Sequence, residues 1–220
     1  MSKHMNRDLE ELEKRLLLLA SQVEESVKKA IEALIGNRSS LAEEVIKGDS
    51  EIDRLEVEIE EDCLKILALH QPVAQDLRQV AACLKIDNDL ERIGDLAVNI
   101  AERALASTRD RASLPAPLRE MVDMATQMLH NAIDAFVRAD VDSARRIVLQ
   151  DDRVDADHRA VIEGLLARMH SDPSSIDRAL ELILVSKNIE RIADHATNIA
   201  EDVIYLVEGE IIRHRIDARA

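Results

Sequence analysis

The chain has 220 residues and a formal charge of −15, from 44 acidic against 29 basic residues, with one Tyr, one Phe and no Trp. So few aromatics, together with 5 Gly and 4 Pro, exclude sandwiches and barrels, which lean on aromatic and β-branched side chains and on hairpin turns. The acidity argues against nucleic acid as a partner, because no dense Lys/Arg run exists to meet a polyanion, and two cysteines, Cys63 and Cys83, make no disulfide framework.

Six helical stretches follow one another. The first is predicted from about Asn6 to Ile35: Leu9, Leu16, Val23 and Ala30 recur every seven residues, with Leu12 and Leu19 between them, which lays a seam along one helix face. Gly36 and Asn37 supply a stop, and Ser39 or Ser40 a cap for the next helix. The second, about Leu41 to His70, has its seam at Val45, Ile52, Ile59 and Ile66, with Leu55 and Leu69 filling in. Pro72 is expected to close it and to open the third helix as a first-turn proline. The third runs to about Ser107 on Ile86, Leu90, Ile93, Ala97, Ile100 and Ala104. The apolar period breaks from Ser107 to Pro117, a linker rich in Ser, Thr and Pro. Three more helices are predicted, about Leu118 to Arg138, Val141 to Met169 and Ser174 to Ile212, the last preceded by Asp172-Pro173 as cap and first-turn proline.

Helices of about 30 residues are about 45 Å long, and short turns force such neighbours to lie antiparallel. The expected fold is all-α: two tandem, elongated three-helix bundles over residues 1–110 and 111–220, with one continuous six-helix bundle as the second choice. Apolar runs such as Leu16 to Ala20 fall far short of a membrane span. The N-terminal residues enter a charged helical pattern without a basic-then-apolar leader, so a soluble, cytoplasmic protein is expected.

The third and sixth helices repeat one another. Glu91-Arg-Ile-Gly-Asp95-Leu-Ala-Val-Asn99-Ile-Ala-Glu102 and Glu190-Arg-Ile-Ala-Asp194-His-Ala-Thr-Asn198-Ile-Ala-Glu201 match at nine of twelve positions, 99 residues apart. Chance would give about one match, so the chain is an internal duplication. Upstream, Asp49 and Asp53 recur as Asp151 and Asp155, 102 residues on. Each half thus carries an Asp pair on its middle helix and a Glu/Asp pair on its last.

A spacing of four puts both carboxylates on one helix face, about 6 Å apart, where like charges repel. Glu91, Asp95, Asn99 and Glu102 form one oxygen-bearing stripe, away from the apolar seam; Asp49, Asp53, Glu56 and Glu60 form another. As the helices are antiparallel neighbours, the stripes are expected to converge along a groove, where a cation would make them favourable. Oxygen donors suit Mg²⁺, Mn²⁺ or Ca²⁺, and carboxylates with an imidazole also suit iron. In the second half Glu190, Asp194, Asn198 and Glu201 face Asp151 and Asp155; His158 stands where the first half has Glu56, and His195 follows Asp194, which predicts a slightly softer site.

The bland reading is substantial. One residue in five is acidic, so acidic pairs four apart arise about nine times by chance, and Arg92 and Arg191 suffice for ordinary surface ion pairs. Duplication in register is what lifts the stripes above that background. Cys63 and Cys83 read as small buried side chains, and His70 and His170 as helix-end residues meeting the dipole. A ferritin-like metal-binding or oxidase bundle is the alternative, but it calls for inward Glu-x-x-His motifs, and the nearest match is Asp155-Ala-Asp-His158.

The segments Asp89-Leu-Glu91-Arg-Ile-Gly-Asp95 and Asn188-Ile-Glu190-Arg-Ile-Ala-Asp194, the turn Pro72-Val-Ala-Gln-Asp76-Leu-Arg78 and the tandem three-helix plan resemble the PhoU family over nearly the whole chain. The second turn, Asp172-Pro173-Ser-Ser-Ile-Asp177-Arg178, departs from it by lacking the Asp-Leu-Arg triplet. The resemblance implies a non-enzymatic, cytoplasmic adaptor of bacterial phosphate homeostasis, a negative regulator of phosphate uptake and of the phosphate-responsive sensor kinase. It implies as partners the phosphate-transporter ATPase subunit and the sensor histidine kinase, and a homodimer or higher homo-oligomer that meets the membrane only through partners. It also implies divalent or trivalent metal ions, iron, manganese, magnesium or zinc, singly or in multinuclear clusters, on Glu91/Asp95 with Asp49/Asp53 and on Glu190/Asp194 with Asp151/Asp155.

Overall fold

Apolar seams sustained over several heptads make long helices whose stability comes from packing those seams together. The computed structural model of the chain describes residues 3–106 and 114–212. They form α1 (Lys3–Gly36), α2 (Ser39–His70), α3 (Ala74–Ala106), α4 (Ala116–Arg138), α5 (Val141–Val148), α6 (Asp151–Ser171) and α7 (Ile176–Glu208), with a 3-10 turn over Pro173–Ser175. The stretch from Ser107 to Ser113 and the boundary expected at residues 110 and 111 lie outside the described residues. Helices α1, α2 and α3 pack together as one bundle, and α4 to α7 as a second.

The bundles are not separate bodies. Helix α3 packs along α7, and the buried apolar side chains form one continuous core. Lys85 reaches Asp202 at 2.7 Å, Asp89 meets His195 at 2.7 Å, and Arg103 meets Glu181 at 3.4 Å. These pairings run in opposite directions along the two helices, which are therefore antiparallel. The predicted seams are buried: Leu9, Leu12, Leu16, Leu19, Val23 and Ala30 in α1; Val45, Ile52, Leu55, Ile59 and Ile66 in α2; Ile86 to Ala104 in α3. Each large aliphatic side chain removed from water this way contributes about 1.5–3 kcal/mol.

Several details differ from the pattern. Leu69 is 67% exposed. It lies off the buried line Ile59–Cys63–Ile66, and the inward place at its level is taken by His70, whose Nε2 lies 2.9 Å from Asp8 of α1. Pro72 opens no helix: Gln71 ends α2 in the left-handed region, its N–H donating to the Leu67 carbonyl at 3.3 Å, and α3 starts only at Ala74. Arg38, not a serine, holds the N-cap position of α2. The last helix ends at Glu208 rather than Ile212, closed by Gly209 at φ 75° with its N–H on the Tyr205 carbonyl, a conformation that suits glycine. Asp172 does cap, accepting from Ser174 N at 3.1 Å.

The fifth helix is broken at Leu149–Gln150, where Gln150 N donates to Ile147 O at 2.9 Å, three residues back. Arg145 and Arg146 fill the last turn of α5, and Asp151 and Asp152 the first turn of α6. Each pair suits the end of the helix macrodipole it occupies, so the charge pattern favours two ends where the apolar pattern suggested none.

Gly94 sits where α2 and α3 approach closely: a Cβ there would meet Ile52 Cγ2 at 3.2 Å. The second bundle solves the same contact with Ala193 and Val154, both buried, exchanging one methylene across the interface. Alanine at 94 gains about 1 kcal/mol of helix propensity but overpacks at about 1–3 kcal/mol. Gly94→Ala is expected to destabilise the chain. Paired with Ile52→Val in urea denaturation, it should show a favourable coupling of at least about 0.5 kcal/mol; additive single effects would contradict the contact.

Candidate metal centre

Antiparallel packing of α2 on α3 and of α6 on α7 brings the two carboxylate stripes of each bundle face to face. In the second bundle they meet most closely. One carboxylate oxygen from each of Asp155, Glu190 and Asp194 lies within 4.8 Å of the others, all three residues half-buried. A hard cation with metal–oxygen bonds of about 2.0–2.6 Å fits between three oxygens so spaced, and this triad could hold a metal ion. Asp151 stands beside it, accepting a hydrogen bond from Thr197 Oγ1 at 3.2 Å.

The protonation energetics show the strain of the arrangement. Burial raises the Asp194 carboxyl to about 6, with Glu190, Asp151 and Asp155 adding to the rise and His195 opposing it. Burial likewise raises Asp151; the Thr197 hydrogen bond works against the shift, and Asp155 and Asp152 work with it. A carboxylate is driven toward its neutral form when water is removed and like charges crowd it. A bound cation reverses both effects, which is why such clusters fit metal better than solvent.

In the first bundle the partners named from sequence also face one another. Burial raises Asp49, with Asp53 on its own helix and Asp95 across the groove contributing. Burial raises Glu91 too, helped by Asp95, Glu56 and Asp53 and opposed by Arg92. Glu56 is raised by burial, then by Glu60 and Asp53. Arg92 reaches Glu91 at 3.5 Å and Asp95 at 3.8 Å, from a largely exposed position where an ion pair contributes little. Glu91 Oε2, the oxygen that faces Arg92 Nε at 3.5 Å, is buried and accepts no hydrogen bond.

Other residues picked out by sequence are placed differently. Asn99 and Glu102 are exposed further along α3, and Glu201 is half-buried on α7. Asn198 donates to Asp89 at 3.2 Å, and His195 lies against the same carboxylate; both side chains join the bundles to each other. His158 is engaged by Ser186 Oγ at 3.1 Å, outside the Asp155–Glu190–Asp194 group, so the arrangement a ferritin-like centre needs, imidazole beside carboxylate, is not assembled there.

The residue that sequence reasoning passed over is Asp87. It is only 1% exposed, its Oδ1 has no hydrogen-bond partner, and burial beside Glu56, Glu60 and Glu91 raises its carboxyl to about 8. The available signal was its place four residues before Glu91, which lengthens the stripe by one turn. Cys63 and Cys83 are fully buried free thiols, Cys63 pushed up to about 12 by burial; such thiols are inert.

A family model for the PhoU domain matches residues 16–104 and again 118–203. The chain belongs to the PhoU family. A phosphate-specific transport system accessory protein PhoU homolog of Pseudomonas putida is 40% identical over 216 residues, 97% of this chain and 84% of that protein. The accessory protein PhoU of Escherichia coli is 36% identical over 215 residues, 97% of this chain and 89% of that protein. The crystal structure of PhoU from Pseudomonas aeruginosa superposes with a TM-score of 0.90 at 39% identity, covering 93% of this chain and 99% of that one. The tandem all-helical architecture is that of PhoU, and the family is one of accessory regulatory proteins rather than enzymes.

For this PhoU chain the two strongly raised carboxyls set a pH dependence. A group whose folded-state pKa lies above its unfolded value of about 3.9 stabilises the fold most at low pH and loses that contribution as pH rises through the folded value. For Asp194 and Asp87 that window runs from about 4 through 6 and 8. With metal removed by EDTA, the urea midpoint of the wild type is expected to fall between pH 5 and 8.5. Asp87→Asn should remove the upper part of the fall, and parallel curves for the two proteins would contradict the assignment.

Proposed function

We propose that the chain is a cytoplasmic accessory regulator of a phosphate-specific transport system, restraining phosphate uptake and the phosphate-responsive sensor kinase when phosphate is plentiful. The observation that carries this reading is the likeness, over 97% of the chain, to proteins named as accessory proteins of that system. The bundles act as scaffolds with metal-stiffened faces: cations at Asp155, Glu190 and Asp194 with Asp151, and at Asp49, Asp53, Glu91 and Asp95, cancel the repulsion between paired helices and set their separation. The exposed ends and flanks are then free to meet the transporter ATPase subunit and the kinase, as a homodimer or higher homo-oligomer. No helix among the described residues is long and apolar enough to cross a membrane, so contact with the membrane runs through those partners.

Deleting the gene is expected to switch on phosphate-responsive genes in rich phosphate, and the wild-type gene to silence them again; unchanged expression on deletion would overturn the regulatory reading. The metal reading stands on a separate measurement. Elemental analysis of protein purified without chelator should show that Asp155→Asn/Asp194→Asn loses at least one metal equivalent relative to wild type. Equal content in the two proteins would remove the second-bundle site.

A further inference from the structure

The two bundles differ in how far their first helices reach. The 102-residue offset that relates Asp49 to Asp151 also carries α1 onto α4. Buried Leu16, Leu19, Val23 and Val27 fall on buried Leu118, Met121, Ala125 and Leu129, and Asn37 and Ala139, both in the left-handed region, follow the two helices. By that offset Ala116, where α4 begins, stands at Lys14, so α1 starts about three turns earlier. Those extra turns cover the C-terminal end of α2. Met5, Leu9 and Leu12 are buried, as is Ile66; His70 meets Asp8 at 2.9 Å, and Arg15 ties Glu58 and Asp62 at 3.3 Å each.

The second bundle lacks the residues for such a cover. Leu114 stands for Leu12, but Ser107 and Arg111 stand for Met5 and Leu9. The tie is gone as well, with Pro117, Ala160 and Gly164 in place of Arg15, Glu58 and Asp62. Buried Ile66 is replaced by Arg168, which is exposed. What remains is a cleft of about 660 Å³ between the start of α4 and α6, lined by buried Leu114, Val161 and Leu165. Gly164 opens into it: a Cβ there would meet nothing within 4 Å. Glycine inside a helix is destabilising, and no neighbour among the described residues needs the room.

We propose that this cleft docks an amphipathic helix of another protein, in the place that the first turns of α1 hold in the first bundle. The repeat specifies the occupant: aliphatic residues four and three apart, as in Met5, Leu9 and Leu12, seated over Val161 and Leu165 as a helix in a groove. Charge specifies its flank. The α4 rim carries Arg119 with Glu120 and Asp123, whereas Arg168 is the one charged group that α6 brings to the cleft, and it makes no ion pair among the described residues. An acidic side chain on the docking helix answers it. A second copy of this chain has no such helix to spare, since its Met5, Leu9 and Leu12 are buried in its own core. The inference needs neither a bound metal nor the regulatory reading above.

The probe is a fluorescein-labelled peptide copying Lys3 to Lys14, stapled on its polar face because so short a helix is marginal in water; binding to the full chain is read by anisotropy. Wild type is expected to bind a single equivalent saturably. Gly164→Leu fills the cleft from a position with open space around it. It should keep or raise the melting temperature and weaken binding at least about tenfold. Gly48→Leu puts the same side chain at another open helix glycine, outside the cleft, and should bind as wild type does. Arg168→Glu should weaken binding at low salt, with the loss shrinking as salt rises. Absence of saturable binding by wild type overturns the site, and so does equal binding by Gly164→Leu. Equal binding of a peptide carrying Leu9→Asp and Leu12→Asp overturns the proposed occupant. If wild type is an oligomer that Gly164→Leu dissociates, a second copy fills the cleft and the proposal falls.

Discussion

Helix α3 must be buried by three neighbours at once. It packs on α1 and α2 within its bundle and on α7 across to the other, while α7 packs on α4, α5, α6 and α3. An ordinary amphipathic helix buries one stripe; these two bury a second face as well. Small residues make that possible. Ala82, Ala97, Ala101 and Ala104 in α3, and Ala179, Ala193, Ala196 and Ala200 in α7, are all buried, letting backbones approach without bulky side chains between them. Gly94 against Ile52 is the extreme case. A chain with almost no aromatic residues fills its core by bringing helices close rather than by inserting rings.

That demand decides where charge can go. With α3 and α7 enclosed, the carboxylates they draw out of solvent have two destinations. Some face the other bundle and are paired there: Asp89 by His195 and Asn198, Asp202 by Lys85. Others face the middle helix of their own bundle, where they meet more carboxylates: Glu91 and Asp95 toward α2, Glu190 and Asp194 toward α6. The first kind holds the bundles together, since breaking a buried pair strands its partner. The second kind crowds like charges and weakens the fold wherever no cation offsets them. Both follow from the same enclosure, and they differ only in what lies opposite.

The periodic part of this was legible in sequence, and the enclosure was not. Ile86, Leu90, Ile93, Ala97, Ile100 and Ala104 announce one apolar face of α3. Its other buried face is written in Ala82, Asp89, Leu96 and Ala101, where alanine carries no strong pattern and an aspartate argues against burial. The pairing of Asp155 with Glu190 and Asp194 could be anticipated because it is repeated in register; Asp87 is marked only by its place four residues before Glu91, a weak signal for one acid among 44 until its burial is known. Asn198 follows the carboxylates at helical spacing in sequence, yet the stripe turns around the helix, and at position 198 it faces α3, where the side chain donates to Asp89. The break at Leu149–Gln150 was hidden for a related reason: apolar spacing carries across a single tightened turn, and only the charges on either side mark the ends.

The duplication separates what the fold needs from what it tolerates. Where the two bundles differ by compensation, as Gly94 with Ile52 against Ala193 with Val154, the contact is a packing constraint met in two ways. Where they differ in charge, as Asp87, Glu56 and Glu60 against Ser186, His158 and Ile162, packing is indifferent, and the acids in one copy require another explanation. Where they agree at a cost, as Glu91 and Asp95 with Glu190 and Asp194, neither packing nor solubility accounts for them. Half-buried like charges oppose folding, and a chain with 44 acidic residues gains nothing in solubility from having four of them in grooves. Repetition of an unfavourable arrangement in both copies is the physical argument for a ligand, and it is stronger than motif spacing alone.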